Sequence, residues 1–254
     1  MKRWTAGLGL LVAAMAAQAG SWQAGGGVGV AQSWYRGADN RASALPLVGY
    51  QGEQFYFQGA ELGWKQPLGE QLSITAKAEW EFERFKPKDS DIAALRQLGE
   101  RKHGVLVGGE LAWALDARTG LSLSAMHDPR SRHKSTLTTV AVEHVLPFST
   151  QQDQFSVSAG ASYLPKAYMQ YYTGVSAAEA ARSGLPAYQA DAATRYQLQA
   201  GWRHGFNRQL GMMVRLSVSH LPADIKWQEA TRSGSPMIAR NVSVGGLVGL
   251  SYRY

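Results

Sequence analysis

Ser124, His127, Asp128 and His133 are the closest grouping of side chains that could do chemistry. A hydroxyl, an imidazole and a carboxylate are the parts of a nucleophilic hydrolase or acyltransferase, in which the histidine takes the proton of the attacking oxygen. Small membrane barrels that work as proteases, phospholipases, acyltransferases or deacylases need such a set near the outer rim. The spacing here opposes it. Ser124 and His127 are three positions apart, so on a strand they point to opposite faces. Asp128 adjoins Pro129, which reads as a turn. His103, His144, His204 and His220 stand apart from one another. Metal chemistry has less support still, because no HxH or HxxxH spacing and no cysteine occurs. Asp89-Ser90-Asp91 places two acids beside lysines, the ordinary make-up of a solvated loop. Gly25-Gly26-Gly27 does not follow a strand and open a helix, so it is no phosphate loop. The expectation is therefore no catalytic, cofactor-binding or metal-ligating residue.

The elements that would position these residues are strands. In 71–84, Leu72, Ile74, Ala76, Ala78, Trp80 and Phe82 share one face against Ser73, Thr75, Lys77, Glu79, Glu81 and Glu83. The same alternation runs through 154–163, 195–203, 212–219 and 241–254. A soluble sandwich also alternates, but these stretches reach about ten residues, which suits a tilted bilayer crossing better than the ~5–6 of soluble strands. Aromatic pairs gather at strand ends: Trp34 and Tyr35, Trp80 and Phe82, Tyr252 and Tyr254. An interfacial girdle needs aromatics there.

Residues 1–19 read as a cleavable signal peptide, with Lys2 and Arg3, an apolar stretch and Ala17-Gln18-Ala19 before the cut. The expected mature chain, 20–254, carries 24 basic and 19 acidic residues, scattered rather than striped, so nucleic acid is not an expected partner. Beyond the leader no uncharged apolar run approaches the ~18 residues of a spanning helix. The chain is expected to be all-β: a single outer-membrane domain built as a transmembrane antiparallel up-and-down barrel. Short connections at 67–69, 116–119, 148–152 and 206–208 alternate with long polar ones at 85–102, 129–134, 169–193 and 221–239. In such barrels the short turns face the periplasm and the long loops face outward. Twelve strands are counted, at 23–35, 43–50, 54–58, 60–66, 70–84, 103–116, 119–128, 135–147, 153–168, 194–205, 209–220 and 240–254. The count becomes ten if Tyr50-Gln51-Gly52-Glu53 is a kink or an outer hairpin.

The longest outer loop contains YYTGVSAAEAARSGLPAY at 171–188. Ser176 with Glu179 three residues on is a capping box, AAEAAR is strongly helix-forming, Gly184 suits the residue after the helix, and Pro186 stops continuation. A short helix folded over the barrel mouth follows, with Tyr171, Tyr172 and Tyr188 as packing feet and Arg182 in its last turn. Asp91 similarly reads as the N-cap of IAALRQL, with Ile92, Leu95 and Leu98 on one face.

These blocks, with LPLVGYQGEQFYF at 45–57 and SPMI at 235–238, resemble the MipA/OmpV family of outer-membrane proteins over essentially the whole mature chain. The resemblance implies an outer-membrane barrel whose best-known member holds a murein lytic transglycosylase together with a bifunctional penicillin-binding protein. It also implies contact with outer-membrane lipid and lipopolysaccharide. The residues it marks are Tyr171, Tyr172, Ser176, Glu179, Arg182 and Gly184. Porin-like and adhesive members give the alternatives of a narrow channel and an adhesin, beside the lipid-modifying enzyme weighed above. Gly249, Tyr252 and Tyr254 resemble the ending by which outer-membrane barrels are recognised for assembly.

Parity sends Lys77, Glu79, Glu81, Glu83, Glu110, Glu143, Arg195, Arg203 and Arg215 into the lumen. Buried charges persist when paired, so an ionic plug with ion pairs across the lumen is expected. An inward partner would have to use turn residues such as Gln66, Gly69, Glu70, Arg118, Asn207 and Arg208, or the mature N-terminus.

Overall fold

The computed structural model describes residues 20–254, so the expected leader lies outside the described residues. The strands are β1 (Ser21–Ala31), β2 (Arg41–Pro46), β3 (Gly49–Gln51), β4 (Phe55–Gln58), β5 (Glu61–Pro67), β6 (Leu72–Glu81), β7 (Gly104–Ala114), β8 (Thr119–His127), β9 (Thr136–Val145), β10 (Asp153–Leu164), β11 (Ala193–Gly205), β12 (Leu210–His220) and β13 (Val242–Arg253). Each is antiparallel to its neighbours, and β13 pairs with β1 from Gln23↔Arg253 to Ala31↔Gly245, which closes the sheet. β2 and β3 both pair with β1, one on its outer half and one on its inner half, so they occupy a single wall position. The wall is therefore a closed barrel of twelve strands.

Closure follows from the solvent. Hydrocarbon offers backbone groups no partner, so a sheet in a membrane has to bond its first strand to its last. The same solvent explains the inverted burial. Val28, Val30, Leu123, Leu198, Leu216 and Leu250 are exposed on the outer surface, whereas Ser73, Thr75 and Ser122 are buried on the inner one. Two short turns are closed by their own side chains. The Asp116 carboxylate accepts the N–H groups of Arg118 and Thr119, and the Asn207 side-chain oxygen accepts those of Gln209 and Leu210.

Four local expectations are corrected. Gly52–Gln54 is a turn between β3 and β4, with the Gly52 N–H bonded to the Phe55 carbonyl, so the ten-strand alternative falls. The strand expected over 153–168 ends at Leu164, because Pro165 opens helix α1 (Lys166–Thr173). Asp91 caps no helix. Ser90 Oγ accepts the Ile92 N–H instead, and the segment folds as two short 3-10 turns, Pro87–Asp89 and Leu95–Gln97. Trp34 and Tyr35 are not girdle residues. Tyr35 is buried, and Trp34 packs on the same cluster.

That cluster is the apolar core of the protein, and it sits at the mouth. Leu95, Leu98 and Phe85 from 82–103, Met169 and Tyr172 from 165–192, and Ile225, Met237 and Ile238 from 221–241 form one buried group. A bilayer rewards apolar residues on the outer face of the wall, so the core forms where the loops that leave the membrane fold onto the buried strand-end residues Leu106, Met126, Leu137 and Leu164.

Candidate functional site: a capped lumen and its rims

The cap is held by α1 and by α2 (Ala177–Ser183). α2 starts in a complete capping box: Ser176 Oγ accepts the Glu179 N–H at 3.3 Å, and Glu179 Oε2 accepts the Ser176 N–H at 3.0 Å. It ends at Gly184, whose φ of 72° is left-handed. Glu179 then reaches a second loop, accepting the Gly99 N–H at 2.8 Å and pairing with Arg101 at 3.0 Å. Arg182 donates to the Gln97 carbonyl of that loop. Burial alone would raise the Glu179 carboxyl. The Gly99 and Ser176 N–H groups and the Arg101 guanidinium outweigh it and pull the carboxyl down to about 2.

α1 joins the cap to the wall. The Tyr172 hydroxyl donates to Glu81 at the end of β6 at 2.8 Å, and the Tyr35 hydroxyl donates to the Tyr172 carbonyl. Tyr171 lies further out, its hydroxyl accepting the Lys102 N–H at 2.9 Å. Burial, reinforced by Glu81, holds the Tyr168 and Tyr172 hydroxyls well above the usual phenol range. All six residues of the loop motif thus stand in or beside one structure, with Glu179 and Arg182 fastening α2 to 85–102 and Tyr171 and Tyr172 fastening α1 to Lys102. Arg101 and Gly99, which complete it, carry no sequence signal of their own.

The catalytic grouping is not assembled. Ser124 faces the lumen opposite Glu110, whereas His127 faces outward and contacts Thr136 Oγ1 at 3.0 Å. Both Asp128 oxygens hold the following turn, accepting the Arg130 and His133 N–H groups. His133 is buried in the cap, with Nε2 3.5 Å from Glu81 and 3.9 Å from Asp128. Ser90, between the two loop acids, donates to the Arg36 carbonyl. Among the described residues no group of three or more His, Cys, Asp or Glu side chains is placed to hold a metal ion.

Below the cap the lumen carries two ionic clusters. Lys77 on β6 lies 3.0 Å from Glu110 on β7, 3.4 Å from Glu61 on β5 and 3.5 Å from Glu79, and the Tyr56 hydroxyl donates to Glu61. Arg203 on β11 and Arg215 on β12 stand with Glu143, Ser156 and Gln199 around a cavity of about 30 Å³. β6 and β12 are six wall positions apart, so the clusters face each other across the barrel. The expected pairing across the lumen is corrected for the Lys77 cluster, where each pair joins neighbouring strands or neighbours on one strand. Adjacent strands are ~4.8 Å apart, within reach of side chains that cannot span a twelve-strand lumen.

At the rim formed by the short turns Leu68, Leu115, Phe148 and Phe206 are exposed, one in each turn after β5, β7, β9 and β11. Of the turn residues expected to be available, Gln66 is tied to Gln54 and Asn207 to its own turn. Phe148, Phe155, Trp202, His204 and Phe206 form a continuous ring ladder. Tyr252 and Tyr254 stack edge to face at 5.0 Å, and the Tyr254 N–H donates to the Trp22 carbonyl.

The chain is similar to known proteins along most of its length. The chain is 28% identical over 231 residues to YiaT of Escherichia coli (strain K12), named as an outer membrane protein, covering 91% of this chain and 89% of that one. It is 30% identical over 188 residues to the MltA-interacting protein of the same strain, covering 71% and 73%. Among solved structures, an outer membrane channel from Pseudomonas putida F1 overlays with a TM-score of 0.45 at 10% identity, over 95% of this chain and 97% of that one. A family profile described as MltA-interacting protein MipA matches residues 24–254, and the chain belongs to that family.

Proposed function

We propose that the protein is an exported, non-catalytic outer-membrane adaptor that brings a murein lytic transglycosylase and a bifunctional penicillin-binding protein to the inner face of the outer membrane. The observation that carries this reading is the cap. A barrel whose outer end is filled by a folded core is built for permanence, and its periplasmic turns are left as the surface for soluble partners. Exposed Leu68, Leu115, Phe148 and Phe206 give that rim apolar contact points, and a similar protein is named for its interaction with MltA. Cross-linking in intact envelopes, followed by pull-down and mass spectrometry, should recover murein enzymes. Recovery of none, under conditions that capture other envelope complexes, would overturn the reading.

A narrow channel is the second reading, favoured by the facing ionic clusters, which set a field across the lumen. Planar-bilayer recording separates the two: the adaptor gives small or rare events, and a channel gives steady conductance. The same proposal treats residues 1–19 as the export signal and Gly249, Tyr252 and Tyr254 as the assembly signal. Replacing Tyr252 and Tyr254 together by Ser should then leave protease-sensitive protein in the periplasm. Normal assembly of that variant would reduce the tyrosines to interfacial anchors.

A further inference from the structure

The barrel wall is incomplete on its outer half. β4 and β5 form a hairpin that turns at Gly59-Ala60. Its topmost bonds to either side run from the Gly59 N–H to the Val48 carbonyl and from the Trp80 N–H to the Ala60 carbonyl, both 2.8 Å. Above that level β2 pairs only with β1, and the end of β6 pairs only with β7. Two strand positions, each ~4.8 Å wide, are missing there. The frame closes again further out, where Ala38 bridges Ser90 and the Asp91 N–H donates to the Gly37 carbonyl. What remains is a window between residues 42–48 on one side and 80–85 on the other.

Its lining has three features. The Leu47 N–H bonds to the Gly25 carbonyl of β1, whereas the Val48 carbonyl bonds to the hairpin. By alternation, Ala42, Ala44 and Pro46 turn their backbone toward the free edge. Pro46 has no N–H to give, and a proline on an edge strand blocks addition of another strand. Next, the window opens in the lipid-facing belt: exposed Val28 and Val30 flank it on β1, and exposed Trp80 and Phe82 on the far side. Behind it, finally, the lumen wall on the side of β1, β2 and β13 is apolar. Leu45 lies over Gly29, Leu247 over Gly27 and Leu47 over Gly249, and both Leu45 and Leu47 remain partly exposed. The Lys77 cluster lies on β5, β6 and β7, so this apolar strip belongs to β1, β2 and β13.

We propose that this window is a lateral binding site for a hydrocarbon chain of an outer-membrane lipid. The chain passes between β2 and β6 and lies against Leu45, Leu47 and Leu247 on the glycine floor. The lipid's polar end stays outward, near the edge N–H groups of Ala42 and Ala44, for which hydrocarbon offers no partner. The site is independent of the adaptor reading.

The chain has no cysteine, so single-cysteine probes are unambiguous. A fluorophore on Leu47→Cys or Leu247→Cys, in vesicles containing phospholipid with spin-labelled acyl chains, should be quenched nearly as strongly as one on outward-facing Val28→Cys. A fluorophore on Ala141→Cys, which shares the inward face with Glu143 on β9, should be quenched severalfold less. Leu45→Cys repeats the measurement if Leu47→Cys fails to assemble, as judged by heat-modifiable migration in gels. Quenching at the leucine positions no greater than at Ala141, with aqueous iodide quenching them instead, would overturn the proposal.

Discussion

Glu179 concentrates the cap's electrostatics in one side chain. Its carboxyl is held at about 2, below the ordinary value of 4.5. A lowered pKa adds stability that is present above the ordinary value and is lost as pH falls through the folded one. The cap should therefore loosen between about pH 4.5 and pH 2. Hydrogen exchange of 166–188 against pH measures this, and Glu179→Gln should remove that dependence. The same variant leaves Arg101 without its carboxylate. A cost of about 2 kcal/mol is expected, below the ~3–5 kcal/mol of a fully buried pair, because Arg101 is partly exposed. His127 and Asp128 provide the opposite test. Neither shares a site with Ser124, so His127→Ala and Asp128→Ala should leave lipid A chemistry unchanged. Asp128→Ala should still loosen its turn by about 1 kcal/mol, since the carboxylate holds two backbone N–H groups. Loss of a lipid modification in either variant, seen by mass spectrometry, would restore an enzymatic reading.

Among the elements, the seam between β1 and β13 is the most demanding. A Cβ at Gly25 would meet the Leu250 carbonyl and the Ser251 backbone, whereas one at Gly26 would meet nothing. Gly25→Ala should reduce the heat-modifiable folded form, and Gly26→Ala, one residue away, should not. Equal behaviour of the two would mean that the seam relaxes freely. The cap elements behave differently, because they rest on the barrel without closing it. Replacing 166–188 by a short glycine-serine linker should leave the barrel assembled. It should also raise its conductance in planar bilayers well above that of the intact protein. Unchanged conductance would assign the block to the ionic clusters below.

For the whole molecule, closure of twelve strands dictates the first observable. Unboiled and boiled samples should migrate differently, and circular dichroism should be strand-rich. A helical spectrum, or fractionation with soluble periplasmic proteins, would contradict the barrel. Intact protein should conduct poorly, since cap and paired charges obstruct the lumen in series.

Much of this organisation was legible without coordinates because a membrane barrel imposes one local rule, apolar outward and polar inward, on every second residue. Alternation located the strands, loop lengths separated the short-turn end from the long-loop end, and Ser176, Glu179 and Gly184 announced α2 by the chemistry of helix ends. Whatever depends on residues far apart in the chain was settled only in three dimensions. Trp34 and Tyr35 look like girdle aromatics until loops far along the chain bring Met237 and Ile238 to them. Arg101 is one loop arginine among several until Glu179 accepts its N–H hydrogen bond, and the inward charges could pair in many ways until register put Lys77 beside Glu110. The window is the clearest case. Each strand around it reads normally, but its existence depends on how far the β4–β5 hairpin climbs between neighbours, which is a property of pairing and not of any one segment.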